Sequence, residues 1–461
     1  MEDADRVVAQ ADAAFKESVE RLKAFLRFPS IGTDPAYHED TRRCAEWLVQ
    51  ELRGIGFDAS LRETPGMPVV VAHGGEGDGA RLLYYGHYDV QPADPLDLWE
   101  SPPFEPVVKE GKNGPQVVAR GAVDDKGQVM TIVEAMRAWK AAHGRIPVPV
   151  TLFIEGEEEG HSVNLEPFLR ANADELKAAV CVISDTGMLA PDRPAVTTTL
   201  RGLAYVEATL TGPAHDLHSG MYGGAVPNPI DELCRIVAAL HDDEGRVTLE
   251  GFYDGVAATP KEQIEAWRKA GLDEAAFLAS AGLEEGSGEA GYSTLERLWT
   301  RPTLDCNGVW GGYTGEGSKT VIPSKASVKL SCRLMPGQDP EAVFASIEAH
   351  FRRRCPANCK VTVRDFGLGG GIGIDASGPY VEAARRAAEA VFPHPLTLVG
   401  CGASIPVVAV IKRVLDMDSL LLGFGLDDDR IHSPNEKFDL VCYERGIKTH
   451  VRFLAEAAGL K

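Results

Sequence analysis

Two spacings of apolar residues alternate along the first part of the chain. Apolar positions recur at helical intervals in residues 5–27, 39–55, 126–142 and 164–172. Short, nearly continuous apolar runs, which are typical of buried strands, occupy residues 67–72, 81–85, 148–154 and 179–184. A strand–helix–strand rhythm of this kind predicts a mostly parallel β-sheet that is covered by helices.

The pattern changes in the middle of the chain. Apolar and polar residues alternate in 196–210, 321–335 and 359–365, as they do in half-exposed antiparallel strands. Helical spacings occur among them at 230–241, 260–270 and 273–282, and helices in the earlier style return at 379–391 and 441–458. We therefore predict an α/β domain in two parts, 1–199 and 375–461, with an inserted α+β domain at 200–374.

Titratable side chains collect where the apolar runs end. His87, Asp89, the acidic run 157–159 and Asp185 each follow one of these predicted strands, and a further apolar run at 419–425 leads through an acidic loop to His432. In an open α/β sheet, functional groups gather at the carboxyl ends of such strands. Asp124 and Asp125 open the helix at 126–142, where the helix dipole alone explains one carboxylate. Two His with several carboxylates suit zinc, manganese or cobalt.

Composition narrows the function classes. The 461 residues carry a formal net charge of -21, which makes nucleic acid and anionic membranes unfavourable partners. No apolar run approaches the roughly 20 residues needed to span a bilayer, and no basic segment followed by an apolar one predicts a signal peptide. Nine scattered cysteines favour reduced thiols, so we expect a cytoplasmic protein.

Six motifs in order give the chain a recognisable signature. They are Gly-His-Tyr-Asp-Val-Gln-Pro (86–92), Arg-Gly-Ala-Val-Asp-Asp-Lys-Gly (120–127), Glu-Gly-Glu-Glu-Glu-Gly (155–160), Ser-Asp-Thr (184–186), His-Ser-Gly-Met-Tyr-Gly-Gly (218–224) and His-Ser-Pro-Asn-Glu (432–436). The chain thereby resembles the co-catalytic zinc peptidases, which include aminoacylases, carboxypeptidase G, succinyl-diaminopimelate desuccinylase and carnosinase-like cytosolic dipeptidases. The stretches 89–92 and 99–104 look most like the dipeptidase branch.

The resemblance implies a centre with two divalent metal ions, zinc first, with manganese or cobalt as alternatives. It implies these ligands: His87 and Asp185 for one ion, Glu159 and His432 for the other, and the carboxylate of Asp124 bridging both. It also implies that the peptide bond between Asp124 and Asp125 is cis. It also implies that Asp89 orients His87 and that Glu158 is the general base for a metal-activated water. The residues agree with this, since two nearby cations need a shared carboxylate to offset their repulsion.

The resemblance also assigns residues of the inserted domain, which becomes a lid and dimerisation domain beside a catalytic domain. His218 of one subunit would stabilise the oxyanion in the site of the other subunit, so a homodimer is expected. Arg333, Thr320 and Ser404 match positions that hold the carboxylate end of the substrate, although Arg333 alone is typical of a surface strand. Cys401 stands where relatives often have an acidic residue, so the resemblance does not extend to this position.

We therefore predict a metal-dependent dipeptidase that acts on small peptides and binds neither nucleic acid nor membranes. The first alternative is an N-acyl amino acid deacylase or a carboxypeptidase with the same metal centre. The second is a metal-binding protein without activity. That alternative predicts a lost base or ligand, whereas each expected position is filled.

Overall fold

The computed structural model describes residues 2–402 and 405–461, which form two compact units. The first unit runs up to Thr198 and resumes over Ile374–Val399 and Pro406–Lys461. The second unit comprises Thr199–Gly373 and a short segment that begins at Gly400.

The helices of the described residues are numbered in chain order. They are α1 (Glu2–Ala13), α2 (Phe15–Leu26), α3 (His38–Gly54), α4 (Lys126–His143), α5 (Leu165–Ala171), α6 (Ala173–Leu176), α7 (Ser219–Tyr222), α8 (Pro229–Ala238), α9 (Lys261–Lys269), α10 (Glu274–Ser280), α11 (Thr294–Trp299), α12 (Pro340–Arg354), α13 (Pro379–Glu389), α14 (Pro406–Leu415) and α15 (Leu440–Ala457). Single 3₁₀ turns lie at Pro35–Tyr37, Leu96–Leu98 and Glu158–Gly160.

The strands follow the same numbering. They are β1 (Asp58–Arg62), β2 (Val69–Gly74), β3 (Leu82–His87), β4 (Val107–Gly111), β5 (Gly114–Val118), β6 (Val150–Glu155), β7 (Val180–Ile183), β8 (Ala195–Leu200), β9 (Gly202–Thr211), β10 (Leu217–His218), β11 (Thr303–Gly311), β12 (Val321–Ile322), β13 (Lys325–Leu334), β14 (Lys360–Gly369), β15 (Ile372–Gly373), β16 (Thr397–Cys401), β17 (Ser419–Leu421) and β18 (Lys437–Asp439).

The main sheet of the first unit has the strand order β1-β2-β6-β3-β7-β17-β8. Strands β6, β3, β7 and β17 are parallel to their neighbours within this group, whereas β1, β2 and β8 join antiparallel at the edges. Every residue of β3, β6 and β7 is buried, which explains their continuous apolar runs. The carboxyl ends of the parallel strands therefore meet at one edge of the sheet.

Helix α4 shows why the predicted helix at 126–142 forms where it does. Its turns are buried on nearly all sides from Lys126 to Trp139, and it ends at Gly144, which adopts φ 72°. A glycine in this left-handed conformation commonly terminates a helix. The Trp139 indole donates to the Val451 carbonyl oxygen at 3.0 Å, which ties α4 to α15.

A small second sheet of the first unit joins distant parts of the chain. Strand β18 pairs antiparallel with β5, which pairs antiparallel with β4. This pairing places Lys437 opposite Val118 and brings the segment after β17 beside the loop that leads into α4.

The second unit is built on an antiparallel sheet with the order β11-β13-β9-β14. Alternate residues of β9 are fully buried, and they form a core with the apolar residues of β13, α8 and α12. Leu330, Cys332 and Leu334 point into this core, so the intervening Arg333 lies on the opposite, half-exposed face. A two-residue pairing of β10 with β12 sets His218 opposite Val321.

Three predicted elements are divided in the structure. The helix expected at 5–27 is interrupted at Ala14, although hydrogen bonds between residues four apart continue on both sides of Ala14. The strand expected at 196–210 is two strands, β8 and β9, which enter different sheets. The strand expected at 321–335 is broken after Ile322 by Pro323, which has no N–H to donate to a ladder.

In the part of the chain that is described, no helix has both the length and the apolar character required to cross a bilayer.

Candidate metal centre

The five predicted ligands come from five separate segments of the first unit. His87 is the last residue of β3, and Asp185 lies just beyond β7. Glu159 lies in the 3₁₀ turn that follows β6. Asp124 lies just before α4, and His432 lies between β17 and β18. The structure brings all five together at the carboxyl edge of the parallel strands.

The two oxygens of Asp124 face two different imidazoles. Asp124 Oδ1 lies 3.2 Å from His87 Nε2, and Asp124 Oδ2 lies 2.9 Å from His432 Nε2. A further carboxylate accompanies each imidazole: Asp185 Oδ2 lies 3.9 Å from His87 Nε2, and Glu159 Oε2 lies 3.4 Å from His432 Nε2. The atoms therefore form two groups of three that share Asp124, and within each group all atoms lie within 4.8 Å of one another.

The donor set fits a divalent metal. His87 is fully buried, and among the described residues its Nε2 atom has no hydrogen-bond partner of acceptable geometry, although two carboxylates face it. Buried polar atoms are otherwise nearly always paired. A ring nitrogen and several carboxylate oxygens are the ligands that zinc and related cations take, so a cation would satisfy this atom.

The pKa shifts of the clustered side chains also suit a bound cation. Burial raises the pKa of Asp185 to about 7, and the neighbouring Asp124 carboxylate adds to the effect. Burial also opposes ionisation of Asp124, but the nearby imidazoles of His432 and His87 together outweigh burial and lower the pKa of Asp124. The hydrogen bonds of His432 with Asp124 and Glu159 raise the pKa of His432 to about 10. A cation among these groups would favour the ionised carboxylates.

Glu158 lies beside the ligands in the same 3₁₀ turn. Burial raises the pKa of Glu158 to about 8, the charges of Asp185 and Glu159 raise it further, and His87 opposes them. A carboxyl group with a pKa near neutrality can both take up and release a proton under physiological conditions.

Asp89 contacts both His87, as the sequence predicted, and the turn that carries Glu158 and Glu159, which the sequence did not predict. Its carboxylate lies 3.4 Å from His87 Nδ1, and its backbone oxygen lies 3.1 Å from the same nitrogen. The same carboxylate also accepts from the backbone N–H groups of Glu158 and Glu159 at 3.2 and 3.1 Å. Asp89 therefore directs Nε2 of His87 towards the cluster and also anchors the turn that carries the two glutamates.

Two neighbouring side chains escaped the sequence reasoning. The Gln91 amide donates to Glu159 Oε2 at 2.7 Å, and Asp125 Oδ2 accepts from the His87 backbone N–H at 3.1 Å. Gln91 lies in the motif at 86–92 and Asp125 in the motif at 120–127. Their membership of these motifs was the feature of the sequence that could have identified them as neighbours of the ligands. Groups that orient metal ligands in this way tune the geometry and basicity of a site.

The second unit holds the remaining assigned residues. His218 is exposed; its Nδ1 accepts from the Gly220 N–H at 3.0 Å, and its Nε2 lies 3.4 Å from Thr320 Oγ1. These residues meet because β10 pairs with β12. Among the described residues no hydrogen bond joins Arg333 to His218, and Ser404 lies outside the described residues.

Arg201, which the sequence reasoning passed over as a strand residue, lies near Arg333. Its Nε donates to the Gly402 carbonyl oxygen at 2.9 Å, and its Nη1 is buried without a partner among the described residues. Burial lowers the pKa of Arg201 to about 10, and the charge of Arg333 acts in the same direction. Arg333 lies opposite Leu203, two residues after Arg201, so the two arginines are neighbours in the second unit.

Comparisons with known proteins agree with this geometry. Residues 83–456 match the family model described as Peptidase family M20/M25/M40. The chain is 30% identical over 472 residues to the Cys-Gly metallodipeptidase dug1 of Schizosaccharomyces pombe, covering 99% of this chain and 98% of that protein. It is 32% identical over 476 residues to the human Beta-Ala-His dipeptidase, covering 99% and 93%.

A solved structure supports the same assignment. The M20 family metallo-carboxypeptidase Sso-CP2 from Sulfolobus solfataricus matches with a TM-score of 0.82 and 31% sequence identity, covering 96% of this chain and 100% of that one. These likenesses confirm the predicted family resemblance, the α/β fold with a mostly parallel sheet and the hydrolase class. They also imply that the protein uses divalent metal. The chain is a member of peptidase family M20/M25/M40.

Proposed function

We propose that this protein is a metal-dependent dipeptidase that hydrolyses the peptide bond of small peptides. The observation that carries the proposal is the placement of Asp124, whose two oxygens face His87 and His432 at 3.2 and 2.9 Å. The likeness over almost the whole chain to two dipeptidases supports the substrate class.

The proposed centre holds two divalent cations, zinc first, with manganese or cobalt as alternatives. His87 and Asp185 hold one, Glu159 and His432 hold the other, and Asp124 is shared. When bound, such a pair polarises a carbonyl group and lowers the pKa of water. Asp89 and Gln91 keep His87 and Glu159 aimed at the cluster through the hydrogen bonds described above.

Glu158 is the proposed general base. Its carboxylate takes a proton from the attacking water and gives it to the leaving amine, so one side chain serves both steps. The support is its place beside Glu159 and its raised pKa, which suits a group that must accept and release a proton. The Asp89 carboxylate holds the backbone of this turn in place.

His218 is the proposed donor to the oxyanion. Because its Nδ1 accepts from the Gly220 N–H, the neutral ring carries its proton on Nε2, which is then available to donate. We propose that it acts in the site of a second copy of the chain, within a homodimer formed through residues 200–374. Residues 1–199 and 375–461 form the catalytic domain in this proposal.

Arg333, Thr320 and Ser404 are proposed to hold the carboxylate end of the substrate. A planar guanidinium suits a free carboxylate because it donates two parallel hydrogen bonds. A dipeptide carries such a carboxylate, and so does an N-acyl amino acid, so these residues select a terminal carboxylate and leave the amine side open. We further propose that the enzyme is cytoplasmic and acts on soluble substrates without nucleic acid or membrane partners.

One further activity has a specific observation in its favour. The structural likeness to a metallo-carboxypeptidase keeps a carboxypeptidase as the second candidate, and an N-acyl amino acid deacylase would use the same residues. The candidates differ in the group that lies on the amine side of the cleaved bond.

A substrate panel separates these candidates. Protein loaded with Zn²⁺, Mn²⁺ or Co²⁺ is incubated with the dipeptides Cys-Gly and β-Ala-His, with longer peptides, and with N-acetyl and N-succinyl amino acids, and the released amine is measured. We expect dipeptides to be hydrolysed faster than the other substrates. Turnover confined to acylated amino acids would refute the dipeptidase proposal, and a metal-loaded protein inactive on every substrate would favour a non-enzymatic role.

A further inference from the structure

One buried carboxylate outside the proposed ligand set makes an unusual number of contacts near the cluster. Glu436 has no exposed surface, and each of its oxygens accepts two hydrogen bonds. Oε2 accepts from Arg120 Nη1 at 2.8 Å and from the Gly121 N–H at 2.9 Å. Oε1 accepts from the N–H groups of Val123 and Asp124 at 3.0 and 3.1 Å.

These four donors belong to one loop, residues 120–124, which ends at the shared carboxylate Asp124. Three of the five backbone N–H groups of this loop donate to Glu436, whereas those of Arg120 and Ala122 donate to the carbonyl oxygens of Pro103 and Ala119. Unpaired N–H groups in such a buried loop would be costly. Glu436 therefore accepts from the N–H group of Asp124 itself and from two of the four loop residues before it.

The same residue is tied to the other side of the cluster. Glu436 lies four residues after His432 in a short segment that leads into β18. Its backbone oxygen accepts from the Ala119 N–H at 3.1 Å, in continuation of the pairing between β18 and β5. Glu436 and Asp124 are 312 residues apart in sequence, so this contact joins two distant segments that each deliver a proposed ligand.

We propose that Glu436 is a positioning residue that pre-organises the metal centre: its carboxylate fixes the 120–124 loop against the segment that carries His432, so that Asp124 faces both imidazoles before any metal binds. The inference rests on the ligands of the proposed function. It assigns Glu436 no contact with metal or substrate. Its effect passes through the backbone of Asp124.

The substitution Glu436→Gln tests the proposal with little change in volume. All four partners are donors, so in either orientation the amide NH₂ group replaces an oxygen that two donors require. We expect the affinity of the metal-free protein for Zn²⁺, measured by calorimetry and by chelator competition, to fall about 10- to 100-fold, as it does when a group that orients ligands is lost.

Glu134→Gln is the matched control. Glu134 is also buried in the first unit and also accepts from arginines, at 2.8 and 2.6 Å from Arg21 and 3.1 Å from Arg137. It lies inside α4 and contacts no proposed ligand. Both variants should unfold at a lower temperature, but only Glu436→Gln should bind Zn²⁺ more weakly. Equal Zn²⁺ affinity in Glu436→Gln and the unsubstituted protein would overturn the proposal.

Hydrogen exchange of the unsubstituted, metal-free protein gives a second test, which does not depend on a variant folding. The amides of Gly121, Val123 and Asp124 should exchange slowly without metal, because each donates to Glu436. Exchange at the rate of an open loop would refute pre-organisation even if Zn²⁺ binds. An unsubstituted protein that binds no Zn²⁺, Mn²⁺ or Co²⁺ would instead refute the proposed function, and this inference with it.

Discussion

The proposed ligands of the first unit and the proposed substrate residues of the second are held in very different ways. His87 is fully buried, and Asp89 and Asp125 fix its ring and its backbone N–H. His218 is exposed, and a single backbone N–H holds its ring, with Thr320 at 3.4 Å. His87 is thus held by several contacts of buried groups, whereas His218 has few contacts among the described residues to define its position.

This difference bears on how each set of residues works. The two proposed cations would require fixed distances among their ligands, which orienting hydrogen bonds around the cluster can maintain. A donor to a transient oxyanion needs to be in place only while substrate is bound. Substitutions of the proposed ligands and of the residues that orient them should therefore change metal binding, whereas substitution of His218 should change turnover without changing metal content.

Asp124→Asn should have the largest effect. The amide has one oxygen instead of two and carries no charge, so it cannot serve both His87 and His432. We expect loss of both cations and of all measurable turnover, checked by elemental analysis after dialysis and by dipeptide hydrolysis. Asp418→Asn is the control, because Asp418 is a surface residue of the same unit that pairs with Lys412. This variant should keep its metal content and its turnover. Retention of full metal content in Asp124→Asn would contradict a shared carboxylate.

Glu158→Gln should separate chemistry from metal binding. It removes the proposed base but none of the proposed ligands, so turnover should fall by roughly 10²- to 10⁴-fold with unchanged metal content. The adjacent Glu157→Gln is the control, because the Glu157 carboxylate accepts from the Met67 N–H and from Asn164 instead of facing the cluster. Loss of metal from Glu158→Gln, or full activity in it, would show that the role is misassigned.

His218→Ala should lower kcat by about 10²- to 10³-fold, the usual loss on removal of one oxyanion donor, with metal content unchanged. His215 is an exposed residue three positions earlier, and His215→Ala should have a kcat close to that of the unsubstituted protein. If His218 serves a second copy, mixing inactive His218→Ala and Glu158→Gln subunits should restore part of the activity. No recovery after demonstrated subunit exchange would argue against a site shared between copies.

Gln91→Leu should have the smallest effect of the four. It deletes one hydrogen bond to Glu159 but leaves the carboxylate in place, so we expect metal affinity to fall about tenfold, with the loss confined to one of the two cations. Asn164→Leu, which deletes an amide that bonds to Glu157, is the control. A Gln91→Leu protein with both metal affinities unchanged would mean that Glu159 is held by other contacts.

The periodicity of the chain predicted much of the fold. Continuous apolar runs indicated buried parallel strands because β3, β6 and β7 are covered on both faces. Periodicity did not show that the chain passes from one sheet to another at Arg201. An alternating pattern of apolar and polar residues fits both β8 and β9, and it does not reveal which strand each of them pairs with. The break at Pro323 was visible in the sequence and was passed over.

The sequence by itself determined which residue types stand at the ends of buried strands, and the resemblance assigned them to two cations. Which oxygen faces which imidazole was decided only by tertiary structure, because the atoms involved come from segments up to 308 residues apart. The orienting contacts of Gln91, Asp125 and Glu436 likewise depend on distances between segments. A one-dimensional pattern reports burial and chemical type, whereas a hydrogen bond depends on where two segments meet in space.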